Sequence, residues 1–465
     1  MIYSTSILTI FTGEQKCLIK FQENARLAWR LLCYECASLI DYLKQIIFSS
    51  EFLQHHKICS NHFIRQRKLP FSTIILILLN FMKGSYQDEL DQYFKAISGF
   101  DVAKRIVSKA AFTKARLKLG FEAFIELNRQ MLSYFHQKFN PMKWHGFNLR
   151  AVDGSTVQLP RTEAVADHFG SWHPRQGDKC PMARISQMFD PINKISIHAT
   201  ISPKEIGERE LAAGHFLNLL ANDLVLLDRG YPAYWLFNLI LSLGSNFCAR
   251  ISYKKWDIIR KFYNSAKLDK IIYLKPSLSA IKKCKEKGLN IIPLKLRLIR
   301  VELDTGEVEI LITSVLDQNL YPTELFKELY HLRWPVEEDY KTMKQWIEIE
   351  NFSGKSVLSV YQDFHAKVFS KNITRILTHP TLKAIDKKTE ACLYRHKTNF
   401  TQSISKMKNV LPLLFVRTAG KIIEMISALH TLFIITTEPV RPDRKFARNK
   451  NNRSNRFNLN YKRAC

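Results

Sequence analysis

The chain has 465 residues, a hydrophobic share of 46% and a net charge of +28 at pH 7, with a pI near 9.7. That length and apolar content support two or three domains with a sizeable core and exclude a chain disordered throughout. The excess of base points to a polyanionic partner, nucleic acid ahead of an acidic membrane surface, and the apolar run from Phe71 to Met82 is too short for a membrane span of about 20 residues.

No N-terminal stretch joins a basic start, an apolar run and a small-residue cleavage site, so a cytoplasmic protein is expected, with its nine scattered cysteines reduced. From about residue 20 to 140 the apolar period is helical: residues 23–47, the buried run at 71–82, residues 86–97 and residues 108–132. Ser108 is placed to cap a helix carrying Lys109, Lys114, Arg116 and Lys118. Such a short basic helix can enter a DNA groove or lie along phosphates, or simply form a basic solvent face. The segment 1–142 is therefore expected to be a helical DNA-binding domain. Cys33, Cys36, Cys59 and His62 have the ligand types and pair spacing of a zinc site, although the first pair lies inside a continuous helical pattern without the Gly or Pro of a metal knuckle.

The period changes near residue 145. "FNLRAVDGSTVQLP" reads as strand broken by a Gly-Ser turn, "KISIHATISP" as a further strand, and "LVLLDRGYP" as a short apolar strand ending in Asp228 after a helical segment. Alternation of strands and helices predicts an α/β core over 143–370. Between about 245 and 318 lie four or five more strand candidates, read as an inserted β-subdomain. Helices return at "TELFKELYHLRW" and continue through a C-terminal region to about 440, followed by a basic, polar tail over 441–465.

Asp153 and Asp228 each follow an apolar strand, a position that open α/β folds use at their ligand-binding edge. Two carboxylates brought close there repel, and a shared divalent cation relieves the repulsion. Glu337, from a helix packed on the same edge, would complete an all-oxygen site suited to Mg²⁺ or Mn²⁺. Two such ions serve in-line phosphodiester displacement, the chemistry of nucleases and strand transfer. Tyr330, Arg333, Glu337, Lys341 and Lys344 recur at three- and four-residue spacing, which puts a basic stripe beside that glutamate. Pro335 interrupts the stripe and predicts a helix that kinks or restarts there, leaving Glu338 and Asp339 as rival first-turn acids.

Three motifs together resemble the IS4 family of bacterial DDE transposases: "VDGSTVQLP", the "DRGY" of Asp228 to Tyr231, and Y-x2-R-x3-E-x6-K at Tyr330, Arg333, Glu337 and Lys344. The resemblance implies an RNase H-like catalytic core carrying Asp153, Asp228 and Glu337, with a β-strand insertion before the last acid. It implies that Tyr330, Arg333 and Lys344, helped by Lys341, position a transposon-end phosphate or a flipped base, and more loosely it assigns Arg250 to the same surface. Trp256 is a candidate base-stacking residue, with packing as its alternative. The implied protein binds terminal inverted repeats as a homodimer in a synaptic complex. It would cleave double-stranded DNA with two Mg²⁺ or Mn²⁺ ions, join the 3′-hydroxyl ends to target DNA, and work in the cytoplasm at the nucleoid. A non-catalytic DNA-binding relative and a nuclease without strand transfer are the alternatives.

Overall fold

The computed structural model describes residues 33–65, 67–172, 179–303 and 305–441. The first 32 residues and the basic tail from residue 442 onward lie outside them. The chain begins with helix α1 over 33–48, then α2 (Ser50–His56), α3 (Phe71–Leu78), α4 (Tyr86–Ser98), α5 (Lys109–Arg116) and α6 (Glu122–Lys138). The apolar run at 71–82 is the buried helix α3, in which Ile74 to Leu78 are all interior. Ser108 caps α5, its side chain accepting from the Ala111 amide.

A sheet-rich section follows: β1 (Asn148–Gln158), α7 (Glu163–Phe169), β2 (Ser171–Trp172), β3 (Cys180–Asp190), β4 (Ile195–Pro203), α8 (Glu208–Phe216), β5 (Asp223–Leu227) and α9 (Tyr234–Ser242). It continues with β6 (Asn246–Ile251), α10 (Asp257–Asn264), β7 (Asp269–Leu274), α11 (Leu278–Glu286), β8 (Leu294–Glu302) and β9 (Val308–Thr313). Helices close the chain: α12 (Leu325–His331), α13 (Pro335–Gln345), α14 (Val357–Thr378), a 3-10 turn at His379–Thr381 and α15 (Leu382–Lys388). The last elements are β10 (His396–Thr398), α16 (Phe400–Met407), α17 (Leu411–Leu414), α18 (Ala419–Ile435) and β11 (Thr437–Pro439).

Nine strands form one mixed sheet in the order β2-β3-β1-β5-β6-β9-β8-β7, with β4 also on β3. β1, β5 and β6 are parallel neighbours, while β3 runs antiparallel to β1. The strands of 245–318 extend this same sheet through β6 and carry two short helices between them. Alternation along β5 divides the core: Leu224 and Leu226 face a cluster with α7 and α12 to α14, and Val225 and Leu227 face one with α8 to α11. A third core joins the N-terminal helices to α14, α16 and α18.

Helix α14 is buried around most of its circumference, polar residues included. Buried polar atoms require partners, and α14 finds them in every neighbouring layer. Asp363 pairs with Arg116 at 2.9 Å, and the Gln362 amide donates to the Arg116 and Leu119 carbonyls at 2.9 and 2.7 Å. Lys367 donates to the carbonyls of Glu348 and Asn351, and Lys371 pairs with Asp339 of α13 and donates to Ser196. Arg116→Met is expected to destabilise the fold by about 3–5 kcal/mol, because it strands the Asp363 carboxylate in the interior. Arg116→Met combined with Asp363→Leu should regain part of that loss. Urea denaturation of the two variants checks this, and an additive double variant would contradict it.

Candidate active site

The strand carrying Asp153 does not end there. Gly154 and Ser155 were expected to turn the chain, yet β1 runs on to Gln158 because antiparallel β3 pairs with it from Asp153↔Gln187 to Gln158↔Met182. On its other side the parallel partner stops at Val152↔Leu227. Asp153 therefore lies inside β1 at the point where β5 leaves it, and Asp228 is the first residue beyond β5. Neighbouring strands are about 4.8 Å apart, so the register sets the two aspartates side by side. Alternation turns Asp153 away from Val152, toward the face that α13 covers, where Tyr340 donates its hydroxyl to the Asp153 carbonyl at 2.7 Å.

Glu337 comes from α13. Helix α12 ends at His331, and Pro335 occupies the first turn of a new helix, as its missing amide and fixed φ favour. The break does not part the stripe: Arg333 reaches Glu337 at 2.8 Å, and its guanidinium lies 5.9 Å from the Tyr330 ring and 5.2 Å from that of Trp334. Tyr330 donates to Asp228 at 3.4 Å. Arg250 of β6 bridges Asp228 at 2.9 Å and Glu309 of β9 at 2.5 Å. Of the rival acids, Asp339 is buried against Lys371 and Gln187, whereas Glu338 is exposed.

The electrostatics tie the three acids together. Burial raises the Asp153 carboxyl to about 6; the Gly154 amide and Arg333 oppose the rise, and the charges of Glu337 and Asp228 add to it. Burial also pushes Asp228 upward, but the Arg229 amide, Arg250 and Arg333 outweigh it and leave that group below its usual value. Among the described residues no three His, Cys, Asp or Glu side chains form a ready-made metal cluster. In this arrangement guanidinium groups hold two of the three acids, and all three offer only carboxylate oxygens.

Lys344 donates to Ser155 of β1 at 2.7 Å, and Lys341 is exposed one turn past Glu337. Lys114 is exposed on α5, and Lys118 is half-buried in the turn that follows it. Arg116 corrects the sequence reading. Its side chain is buried and fully engaged by Asp363, Gln362, Tyr86 and Ser353, so it faces the interior and not DNA. Lys114 and Lys118 are four residues apart and share a face, while Arg116 falls on the opposite one. Trp256 packs edge-on against Phe237, at 6.3 Å. Cys33 and Cys36 are buried in α1 beside His430 of α18, at 3.6 and 3.8 Å, whereas Cys59 is exposed and its amide bonds His62. The four candidate zinc ligands therefore do not form one group.

Sequence reasoning missed Ser155, two residues past Asp153 on β1, and Glu309, Gln187 and Lys371, which support the site from elements far along the chain. Only Lys371 carried a signal, as one of four charged residues, Asp363, Lys367, Lys371 and Arg375, that recur every four positions along one helical segment.

Residues 144–373 match the profile of the transposase DDE domain. The chain is similar to the transposase InsG for insertion sequence element IS4 of Escherichia coli (strain K12), 23% identical over 395 residues, which is 83% of this chain and 86% of that protein. A putative transposase InsZ of the same strain is 22% identical over 205 residues, 43% of this chain and 67% of that protein. A solved structure titled as a cryo-EM structure of the piggyBac transposase synaptic complex with hairpin DNA overlaps 85% of this chain and 81% of its own, with a TM-score of 0.40 at 9% identity. The matched DDE domain, which spans β1 to α14, defines the class as a DDE transposase. Within that class the chain is similar, over most of both lengths, to the transposase of insertion sequence element IS4. No helix of the described residues is long and apolar enough to cross a membrane.

Asp153 ionises near pH 6 in the fold, against 3.8 for the ordinary group, so its charged form opposes folding. The penalty is absent below about pH 4, grows through pH 6 and is complete above it. Asp153→Asn is therefore expected to stabilise the protein in EDTA at about pH 7.5, by roughly 1–2 kcal/mol after allowance for water at the site, and to do much less near pH 4.5. Denaturant titrations at the two pH values check the sign, and a variant less stable than wild type at the higher pH would contradict it.

Proposed function

We propose that this transposase binds the terminal inverted repeats of an insertion sequence, cleaves the DNA by metal-dependent phosphodiester hydrolysis and transfers the 3′-hydroxyl ends to target DNA. The observation that carries this reading is the placement of Asp153 inside β1, Asp228 just past its parallel neighbour β5 and Glu337 on α13, among Arg250, Arg333, Tyr330 and Lys344. A donor set made only of carboxylate oxygens fits Mg²⁺ or Mn²⁺. When bound, two such ions would activate the attacking water or hydroxyl and stabilise the leaving oxygen.

The protein's own groups supply the rest. Asp153, Asp228 and Glu337 are the proposed ligands, and repulsion among them is what the cations would relieve. Arg333 and Arg250 hold Glu337 and Asp228 in place, and once those acids are neutralised the guanidiniums can turn to substrate phosphates. Lys344 and exposed Lys341, on the helix of Glu337, extend the phosphate-binding surface. Lys371 fixes that helix by gripping Asp339, two residues after Glu337. The parallel β1-β5 pair, with Asp153 inside β1 and Asp228 directly after β5, supports an RNase H-like reading of the core. We further propose a helical DNA-binding domain over 1–142, a catalytic core over 143–370 with its insertion at about 245–318, and a helical C-terminal region over 371–440. Action as a homodimer on synapsed ends, at the nucleoid, completes the reading.

Cleavage and joining of DNA carrying the element's flanking ends, with Mg²⁺, Mn²⁺ or EDTA, tests the proposal. Wild type should give metal-dependent 3′-hydroxyl ends and joined products. Asp153→Asn, Asp228→Asn and Glu337→Gln should each lower cleavage by about 10²-fold or more while still binding DNA. Normal cleavage by any of the three would overturn the assignment. Products cut but never joined would mean a nuclease, and binding without cutting a DNA-binding protein only.

A further inference from the structure

A second basic concavity lies away from the acid triad, where the segment between α2 and α3 faces α5, and encloses about 1000 Å³. Backbone bonds fix its two walls to each other: the Ile58 amide donates to the Lys118 carbonyl at 3.0 Å, and the Gly120 amide to the His56 carbonyl at 2.8 Å. One wall carries Arg65, Arg67 and Lys68, all exposed; the other carries Lys114 and Lys118. None of these five cations makes an ion pair among the described residues, and no acid lines the groove. Between them α5 presents Ala110, Ala111 and Ala115, a helix face without bulk.

We infer that this groove seats the sugar-phosphate backbone of duplex DNA, read by charge and not by base. The inference rests, for the identity of the polyanion as DNA, on the function proposed above. Cations opposite one another without carboxylate partners, Lys68 donating only to the Ile106 carbonyl at 3.4 Å, match a row of phosphates, and an alanine floor allows that row to approach the helix closely. The only aromatic ring in the lining, Phe63, is half-buried and packs edge-on against Phe71 at 5.4 Å, so the groove lacks the exposed stacking platform that unpaired bases need. Arg116, on the opposite face of α5, anchors the same helix to α14. The wall is thereby held rigidly while its outer face remains open.

The test compares full-length wild type with Arg65→Ala/Arg67→Ala/Lys114→Ala, and separately with Ala111→Trp, which fills the floor while keeping every charge. Binding to a random-sequence duplex is followed against salt concentration, with melting temperatures as the folding control. Loss of three phosphate contacts should reduce the slope of log K against log salt by roughly 0.9 for each, and Ala111→Trp should weaken duplex binding at fixed salt. Folded variants with the slope and affinity of wild type overturn the inference. So does a loss confined to a single-stranded oligonucleotide or to polyglutamate, which would assign the groove to unpaired bases or to an acidic protein. The catalytic reading fails separately: wild type that binds through the groove but never cuts leaves the groove standing, and wild type that cuts while the groove variants bind normally leaves catalysis standing.

Discussion

A helix with polar residues on its buried sides must satisfy them or unfold, and α14 answers that requirement by bonding to every layer around it. Asp363 and Gln362 seize the end of α5, Lys367 caps two loop carbonyls, and Lys371 grips Asp339 of α13. Asn372 adds bonds to Asn128 of α6 and to Ser196 of β4. These interactions contribute specificity more than bulk stability, because desolvation offsets much of each ion pair. Apolar side chains of the same volume would fill the space but leave the rotation and height of α13 against β1 to packing alone.

The acid site shows a related balance. Three carboxylates on adjoining elements repel, and two arginines hold two of them. Arg250 and Arg333 each retain a buried Nε without a partner, so their bonding capacity is not exhausted by the acids they hold. A guanidinium that neutralises a carboxylate in one state and a phosphate in another needs little movement to change partner, since its fork fits either anion.

Much of this was legible in the sequence where the determinants are local. The apolar run of β5 ends at Asp228 as its composition indicates, α3 is buried as its length and hydrophobicity require, and Pro335 restarts a helix where its chemistry allows. The extent of β1 was not legible, because Asp153 stays in the strand only through pairing with β3, whose residues lie about thirty positions away. A Gly-Ser pair reads locally as a turn, and tertiary pairing overrides it. The inward direction of Arg116 was recoverable in part. Its offset from Lys114 and Lys118 put it on another helix face, but nothing nearby in sequence announced Asp363 as its partner.

The helical core draws Cys33 through Phe139 together with Ala366 through Phe433, so its two halves are separated by the whole sheet. At ribosomal rates of about 5–20 residues per second, the later half emerges on the order of tens of seconds after the earlier one. The first helices must wait through that interval with apolar faces uncovered, in reach of chaperones and proteases. A prematurely terminated product would never close this core, which makes completion of translation itself a condition for a stable transposase.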